Sequence, residues 1–161
     1  MLRLIISLLG LGLSSSLYLS SASSSGLCGG SSGCQTVLGS NFASIFGLPV
    51  SVLGLSFFAF VAVLSLRQVV EKEAQVNPLV NYLSIPAALI SLYYILVQIQ
   101  SLGAFCWVCN LTHVLVFGLA FLAYKELKST GKPALTIKES YQAVLWILAP
   151  VLLFTLFSNS T

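Results

Sequence analysis

The sequence predicts an all-α integral membrane protein, and its composition supplies three reasons. Of its 161 residues, 57% are hydrophobic and 7% are charged, whereas an ordinary soluble domain has roughly 25% charged residues. A spanning helix needs about 20 apolar residues, so the chain 1–161 is expected to form a single membrane domain of four or five spans. The net charge of +3 provides no basic stripe, so the partners are expected to include the lipid membrane but no nucleic acid.

Five apolar segments bounded by charges or turn residues are the predicted spans. They cover residues 4–19, 48–66, 79–102, 106–124 and 141–157. The first is short and rich in serine, so it also fits a secretory signal peptide, although a retained first span is the preferred interpretation. The last contains Pro150, which a membrane helix tolerates where neighbouring groups satisfy the freed carbonyl.

The charged residues set the orientation of these spans. All four acidic residues, and all basic residues except Arg3, lie between the second and third spans or between the fourth and fifth. Arg3 precedes the first span and therefore joins the same side. The positive-inside rule makes that side cytoplasmic, with the N-terminus. The uncharged loop at 20–47 and both cysteine pairs are then expected outside, where disulfides persist.

The outer loop contains a candidate short helix. Apolar residues recur there at helical spacing: Val37, Leu38, either Asn41 or Phe42, and Ile45. This pattern predicts an amphipathic helix lying on the membrane face. Before it, the glycines between Cys28 and Cys34 predict a flexible stretch on which the chain closes on itself. We therefore expect a mobile pair of thiols beside an apolar lid.

The four cysteines are the only reactive side chains present in quantity, and they form two closely spaced pairs. Cys28 and Cys34 lie in the outer loop, and Cys106 and Cys109 form a C-x-x-C motif at the head of the fourth span. A helix N-terminus favours the thiolate that attacks disulfides, and Cys109 falls in the first turns of that helix. The arrangement predicts thiol–disulfide exchange.

Other interpretations of the cysteines stay open at this point. Four cysteines can hold a structural zinc ion, and two inert disulfides would suit a non-enzymatic membrane subunit. Loops this short, however, give a disulfide little entropic stabilisation. A carrier of reducing equivalents across the membrane would need cysteines deep within the spans. Redox exchange is therefore preferred, and no metal site is expected.

Polar residues follow the C-x-x-C motif on one face of the fourth span. Cys106, Cys109, Asn110 and His113 are spaced i, i+3, i+4 and i+7. Polar groups in a membrane helix usually face the bundle interior, where they bind a ligand or bond to another helix. Thiol oxidation needs an electron acceptor, and the chain has neither a dinucleotide fingerprint nor a haem or iron–sulfur ligand set. A quinone entering beside Cys109 would satisfy that need.

Three features occur in a recognisable order: an outer-loop cysteine pair, the segment Phe-Gly-Leu-Pro-Val-Ser-Val-Leu-Gly at 46–54, and C-x-x-C at the head of a later helix. In this order they resemble the prokaryotic branch of the vitamin K epoxide reductase family, over about residues 28–124. The resemblance implies a four-helix transmembrane bundle around a quinone, with a short horizontal helix as its cap and a peripheral fifth helix. It also implies location in the inner membrane of a prokaryotic cell.

The resemblance assigns a role to each cysteine by position. Cys106 and Cys109 would be the active-site pair, with Cys109 reducing the quinone. Cys28 and Cys34 would be the shuttle pair. Cys28 would take electrons from a thioredoxin-fold partner through a mixed disulfide, and Cys34 would pass them to Cys106. The result would be disulfide formation in the partner and reduction of a ubiquinone, menaquinone or phylloquinone.

Candidate contacts of the quinone are Ser40, Val50, Asn110 and His113. Val50 and His113 stand where vertebrate members have Asn and Tyr, so the resemblance extends to quinone reduction, and epoxide reduction in the vertebrate sense is the alternative. Many prokaryotic relatives carry a thioredoxin-like domain after the fifth span, whereas this sequence stops at Thr161. A separate thiol oxidase is therefore the expected partner.

The quinone-linked disulfide-bond oxidase of Gram-negative bacteria is an unrelated four-helix protein with the same chemistry. Its C-x-x-C motif is expected in the first outer loop, near the start of the chain. Here that motif comes second, so the order of the pairs argues against this alternative.

Overall fold

A computed structural model describes residues 1–22, 28, 32–45, 47–70 and 78–130. Five helices occupy most of this part: α1 (Leu2–Ala22), α2 (Ser32–Leu38), α3 (Val50–Val70), α4 (Pro78–Leu96) and α5 (Trp107–Thr130). A two-stranded hairpin, β1 (Ser44–Ile45) and β2 (Leu48–Pro49), lies between α2 and α3. One π-helical turn, Val97–Ser101, extends α4.

Four of the helical segments are long and apolar enough to cross a membrane, which confirms the prediction of an all-α membrane protein. They are Leu2–Ser21, Val50–Val70, Pro78–Ser101 and Trp107–Ser129. With 20 to 24 residues each and a rise of about 1.5 Å per residue, each reaches across the roughly 30 Å hydrocarbon layer. The predicted fifth span at 141–157 lies outside the described residues.

The four long helices enclose a shared apolar core. Its most buried members come from α3, α4 and α5, with α1 packed against them: Phe58, Val61, Val80, Val116 and Leu119, contacted by Ile6 and Leu11. Other apolar side chains face outward, and Leu89 and Val114 are 66% and 60% exposed. A bundle that is apolar both inside and outside is suited to lipid.

The ring of Phe58 in α3 packs directly against the backbone of α1 at Gly10. A Cβ atom at Gly10 would overlap the ring of Phe58, so only glycine permits this approach. Small residues serve this purpose widely in membrane helix packing, because they let two backbones come together. The first apolar segment is therefore a packed span of the bundle in this structure.

A buried polar triad joins α1, α4 and α5 at the end of the bundle away from the cysteines. Arg3 is 7% exposed, and its Nη2 lies 2.9 Å from Glu126 Oε2. The same nitrogen donates to Asn81 Oδ1 at 2.9 Å, and Asn81 Nδ2 donates to Glu126 Oε2 at 3.2 Å. Arg3 Nη2, Asn81 and Glu126 thus have partners that offset the cost of leaving water, whereas the buried Arg3 Nη1 makes no hydrogen bond to the described residues.

Charge is confined to that end among the residues that the structure describes. The charged side chains there come from the start of α1 and the last turns of α3 and α5: Arg3, Arg67, Lys125, Glu126 and Lys128. The opposite end carries α2, the hairpin and the cysteines. The two ends of the bundle therefore differ sharply in charge.

The loop between α1 and α3 differs from its prediction. A short helix is present, but α2 covers Ser32–Leu38 and so contains Cys34 instead of following it. The expected continuation of the helix to Ile45 is wrong, because Ile45 pairs with Leu48 in the antiparallel hairpin. A short 3₁₀ turn at Asn41–Ala43 separates the two elements.

Local bonds explain why the helix stops early. The N–H of Ser40 donates to Val37 O at 3.3 Å, three residues back instead of four, and Ser40 Oγ donates to the same carbonyl at 2.7 Å, so Ser40 closes the helix end. Gly47, at φ = 80°, then supplies the left-handed conformation that tight hairpin turns need. Neither the bonds at the end of α2 nor the turn at Gly47 can be recognised from the spacing of apolar residues.

The triad of Arg3, Asn81 and Glu126 predicts that replacing Arg3 destabilises the folded protein. Arg3→Met should lower the free energy of unfolding in detergent by about 1–3 kcal/mol, below the roughly 3–5 kcal/mol of a fully buried pair, because partial exposure screens the remaining charge. The Glu126 side chain is 37% exposed. Arg67→Met, at an exposed arginine of the same end, is the matched control and should change little. Equal losses in both variants would contradict a specific role for the triad.

Candidate functional site

The two cysteine pairs meet at one end of the bundle. All four cysteines are free thiols, and Cys28, Cys34 and Cys106 have no exposed surface, while Cys109 is 9% exposed. The sulfur atoms of the first three lie within 4.8 Å of one another, and Cys34 Sγ and Cys106 Sγ are 2.8 Å apart. Residues separated by 72 positions in the chain are thus in contact for thiol exchange.

The start of α5 fixes the C-x-x-C pair. Cys106 immediately precedes the helix, its carbonyl accepts the N–H of Asn110 at 3.0 Å, and its Sγ accepts the N–H of Cys109 at 3.3 Å. This is the arrangement of an N-cap residue, whose side chain accepts a bond from the third residue of the helix. Since α5 begins at Trp107, Cys109 lies in its first turn, as the sequence predicts.

Gly33 brings α2 onto the chain just before α5. A Cβ atom at Gly33 would overlap the carbonyl oxygen of Phe105, so a larger residue would push the two segments apart. Cys34 follows Gly33, and Cys106 follows Phe105. The prediction that the glycines before Cys34 form a flexible stretch is therefore wrong for Gly33, which belongs to a helix and provides close backbone approach.

Three of the thiols have a pKa above the ordinary value of 9.0. Burial is the main cause that raises the pKa of Cys28 and of Cys34. For Cys106, the hydrogen bond with the thiol of Cys109 is the largest cause of its raised pKa, followed by burial. The N–H of Cys109 acts in the opposite direction and lowers the pKa of Cys106, but it is outweighed. In this dithiol form the cluster is therefore protonated at neutral pH.

An apolar cavity of about 530 Å³ adjoins the cluster. Cys109 lines it, and apolar side chains from α3, α4 and α5 form most of its walls: Leu53, Phe57, Phe58, Ile90, Val97 and Val116. Residues of α1 and of the loop that carries the hairpin also line it. Ligand pockets in proteins typically measure 300–1,000 Å³, so the cavity can hold a small apolar molecule beside one thiol.

The structure places the four candidate quinone contacts differently. Ser40, Val50 and His113 line the cavity, and the ring of His113 lies parallel to that of Tyr94, with an interplanar angle of 8° and centroids 6.4 Å apart. Asn110 instead turns towards α4, where its Nδ2 donates to Gln98 Oε1 at 3.0 Å. Three candidates thus share the cavity, and one serves a contact between helices.

Gln98 is a site residue that the sequence reasoning missed. Its Oε1 accepts the N–H of Cys106 at 3.2 Å in addition to the Asn110 amide, and its side chain also lines the cavity. The signal was present, because a buried amide in a membrane span usually faces the bundle interior. What the sequence does not show is which of the polar residues in that span points at the cysteines.

The fold and site together define a multi-span membrane protein built for thiol redox chemistry. The model of the vitamin K epoxide reductase family matches residues 1–124. The chain therefore belongs to the vitamin K epoxide reductase family, and the resemblance noted from its motifs is confirmed. No similar sequence is found among curated proteins.

The contact at Gly33 predicts that a larger residue there slows formation of a Cys34–Cys106 disulfide. In a protein whose Cys28 and Cys109 are replaced by Ala, Gly33→Ala should slow oxidation of Cys34 and Cys106 to a disulfide by about tenfold, because overpacking of this kind costs 1–3 kcal/mol. Thiol-specific mass labelling after timed oxidation measures the rate.

Gly12→Ala is the matched control, since a Cβ atom at Gly12 meets nothing within 4 Å. It should leave the oxidation rate unchanged. Equal rates in the Gly33→Ala and control proteins would show that the glycine contact does not set the sulfur distance.

The raised thiol pKa values predict a pH dependence of stability. Thiols in the unfolded chain ionise near their ordinary pKa of 9.0, whereas the buried thiols of the folded protein ionise at higher pH. Their contribution to stability is therefore complete below about pH 9 and is lost as the pH rises further. As the pH rises above about 9, the melting temperature of the reduced protein should fall more steeply than that of the fully oxidised protein, which has no thiols to titrate. Parallel curves would contradict this.

Proposed function

We propose that this chain is a quinone-dependent thiol:disulfide oxidoreductase that re-oxidises a thioredoxin-fold partner and so supports disulfide bond formation. The observation that carries the proposal is the unbroken series of sulfur atoms from Cys28 to the cavity. Cys28, Cys34 and Cys106 form one cluster, and Cys109, bonded through its N–H to Cys106 Sγ, lines the cavity. Electrons can pass along such a series by successive thiol–disulfide exchange.

Each exchange step is balanced in atoms and electrons. A dithiol of the partner reduces a Cys28–Cys34 disulfide and becomes a disulfide itself. The thiolate of Cys34 next attacks a Cys106–Cys109 disulfide at Cys106, its nearest sulfur, and Cys109 leaves as a thiolate. Closure of the Cys28–Cys34 disulfide then leaves both members of the second pair reduced. A bound quinone supplies the final acceptor of two electrons and two protons.

The size and polarity of the cavity support a quinone as its ligand. Most of its lining is apolar, and its few polar side chains include Tyr94, Gln98, Thr112 and His113. A quinone ring has the same division, an apolar body with two carbonyl acceptors, and small-molecule sites commonly combine apolar walls with few polar groups. His113 lies one helical turn beyond Cys109 on the same face of α5 and lines the cavity with it.

The distribution of charge supports the orientation that this function requires. The described charges gather at the end opposite the cysteines, and by the positive-inside rule that end faces the cytoplasm. The cysteine end then faces the extracytoplasmic side of a prokaryotic inner membrane, where a thioredoxin-fold oxidase would work. Because Cys28 has no exposed surface, contact with such a partner requires movement of the residues that cover it.

Turnover with separated cysteine variants tests the proposal. Detergent-purified protein should reduce a soluble ubiquinone or menaquinone analogue, followed by ultraviolet absorbance, when supplied with a reduced thioredoxin-fold protein. Cys109→Ala should be inactive with any reductant, since it removes the thiol at the cavity. Cys28→Ala should lose activity with the protein reductant and keep it with dithiothreitol, which is small enough to reach the second pair.

Two outcomes would count against the proposal. Wild-type protein that reduces no quinone, with cysteines that resist mild reductants, would favour structural disulfides in a non-enzymatic subunit. Equal loss in Cys28→Ala with both reductants would contradict the separation of shuttle and active-site pairs.

A further inference from the structure

A buried amide from α4 contacts the backbone of the C-x-x-C pair. Helix α4 ends at Leu96 and passes into the π-helical turn, in which the N–H of Leu102 reaches back to Val97 O at 3.1 Å. Turns of this kind are rare and concentrate at functional sites, because they cost helix regularity to reposition a side chain. Gln98 lies within this turn and is only 3% exposed.

The surroundings of Gln98 would favour an apolar residue if packing were its only purpose. Burying an amide away from water costs free energy unless its polar atoms are bonded. Here the carboxamide oxygen has two donors, the N–H of Cys106 at 3.2 Å and Asn110 Nδ2 at 3.0 Å. Both donors belong to the turn that begins α5. The hydrogen bonds that offset the cost of burying the carboxamide oxygen are therefore made at the active-site pair.

Asn110 completes the arrangement around Cys106. Its Nδ2 donates to Cys106 O at 2.9 Å as well as to Gln98. The peptide groups on both sides of the Cys106 Cα atom are therefore bonded to one connected pair of amides. This leaves the Cys106 backbone little freedom, while its sulfur contacts Cys34 and accepts from Cys109.

We propose that Gln98 is a positioning residue for the Cys106–Cys109 pair, acting through the Cys106 N–H and through Asn110. The proposal rests on the proposed function, because it concerns how readily this pair forms its disulfide. A thiol whose backbone is already held needs less ordering when the bond closes, so the equilibrium favours the disulfide more. Removing the Gln98 amide should free the backbone of Cys106 and lower the equilibrium constant for the Cys106–Cys109 disulfide, although neither sulfur atom is altered.

A glutathione equilibrium measures this directly and needs no quinone. The background protein carries Cys28→Ala and Cys34→Ala, so the only reaction is two protein thiols plus oxidised glutathione giving one protein disulfide plus two reduced glutathione molecules. Acid quenching, thiol labelling and mass spectrometry give the ratio of the two forms.

In this background, Gln98→Met should lower the equilibrium constant for disulfide formation about fivefold, the ratio that matches one hydrogen bond of about 1 kcal/mol. Gln100→Met, at an exposed glutamine of the same π-helical turn, is the matched control and should stay within about twofold of the background protein. Thermal unfolding of each variant in detergent confirms that the forms compared are folded.

Asn110→Leu tests the same positioning role if the Gln98→Met protein fails to fold. It keeps Gln98 but removes the bridging donor, so it should shift the constant in the same direction. If the two amides act as one unit, the double variant should lose little more than Gln98→Met alone.

The outcomes separate this inference from the proposed function. Gln98→Met and Asn110→Leu proteins with the constant of the control would overturn the positioning role and leave the proposed relay intact. A background protein that forms no Cys106–Cys109 disulfide at any glutathione ratio would overturn both. A lower melting temperature with an unchanged constant would show a purely structural role and would also overturn the inference.

Discussion

The contact between Gly33 and the carbonyl of Phe105 is the constraint on which the cysteine site depends. It holds α2 against the chain that leads into α5, and the residue after each contact point is a cysteine. The sulfur atoms of Cys34 and Cys106 are therefore neighbours because two backbones touch, and apolar side chains such as Val37 and Leu38 pack around the cluster. A backbone contact is stiff, and stiffness suits a step in which sulfur must approach sulfur along a defined path.

Burial shapes the chemistry that this arrangement can perform. The cluster is sealed from water and lipid, so its thiols stay protonated, and random oxidation or alkylation from solution is suppressed. The backbone N–H of Cys109 donates to Cys106 Sγ and lowers the pKa of Cys106, although the Cys109 thiol and burial outweigh it. Because Cys109 also lines the apolar cavity, a lipid-soluble acceptor would meet the thiol that lies furthest along the series.

The end of the bundle opposite the cysteines holds the long helices together. Arg3, Asn81 and Glu126 join three helices through bonded polar groups, while Gly10 lets α1 approach α3. The residues at the cysteine end are thus carried on a scaffold anchored elsewhere.

The sequence by itself determined the membrane class, four of the five predicted spans, the position of Cys109 in the first turn of a helix and the family. Each depends on local composition or spacing, which a single segment carries within itself. The tertiary structure decided that Cys34 lies in a helix, that Ile45 lies in a strand, and that Gln98 and Gly33 serve the site. Gln98 and Gly33 act through contacts with other segments of the chain, and the extents of α2 and the hairpin depend on hydrogen bonds; apolar periodicity carries information about neither.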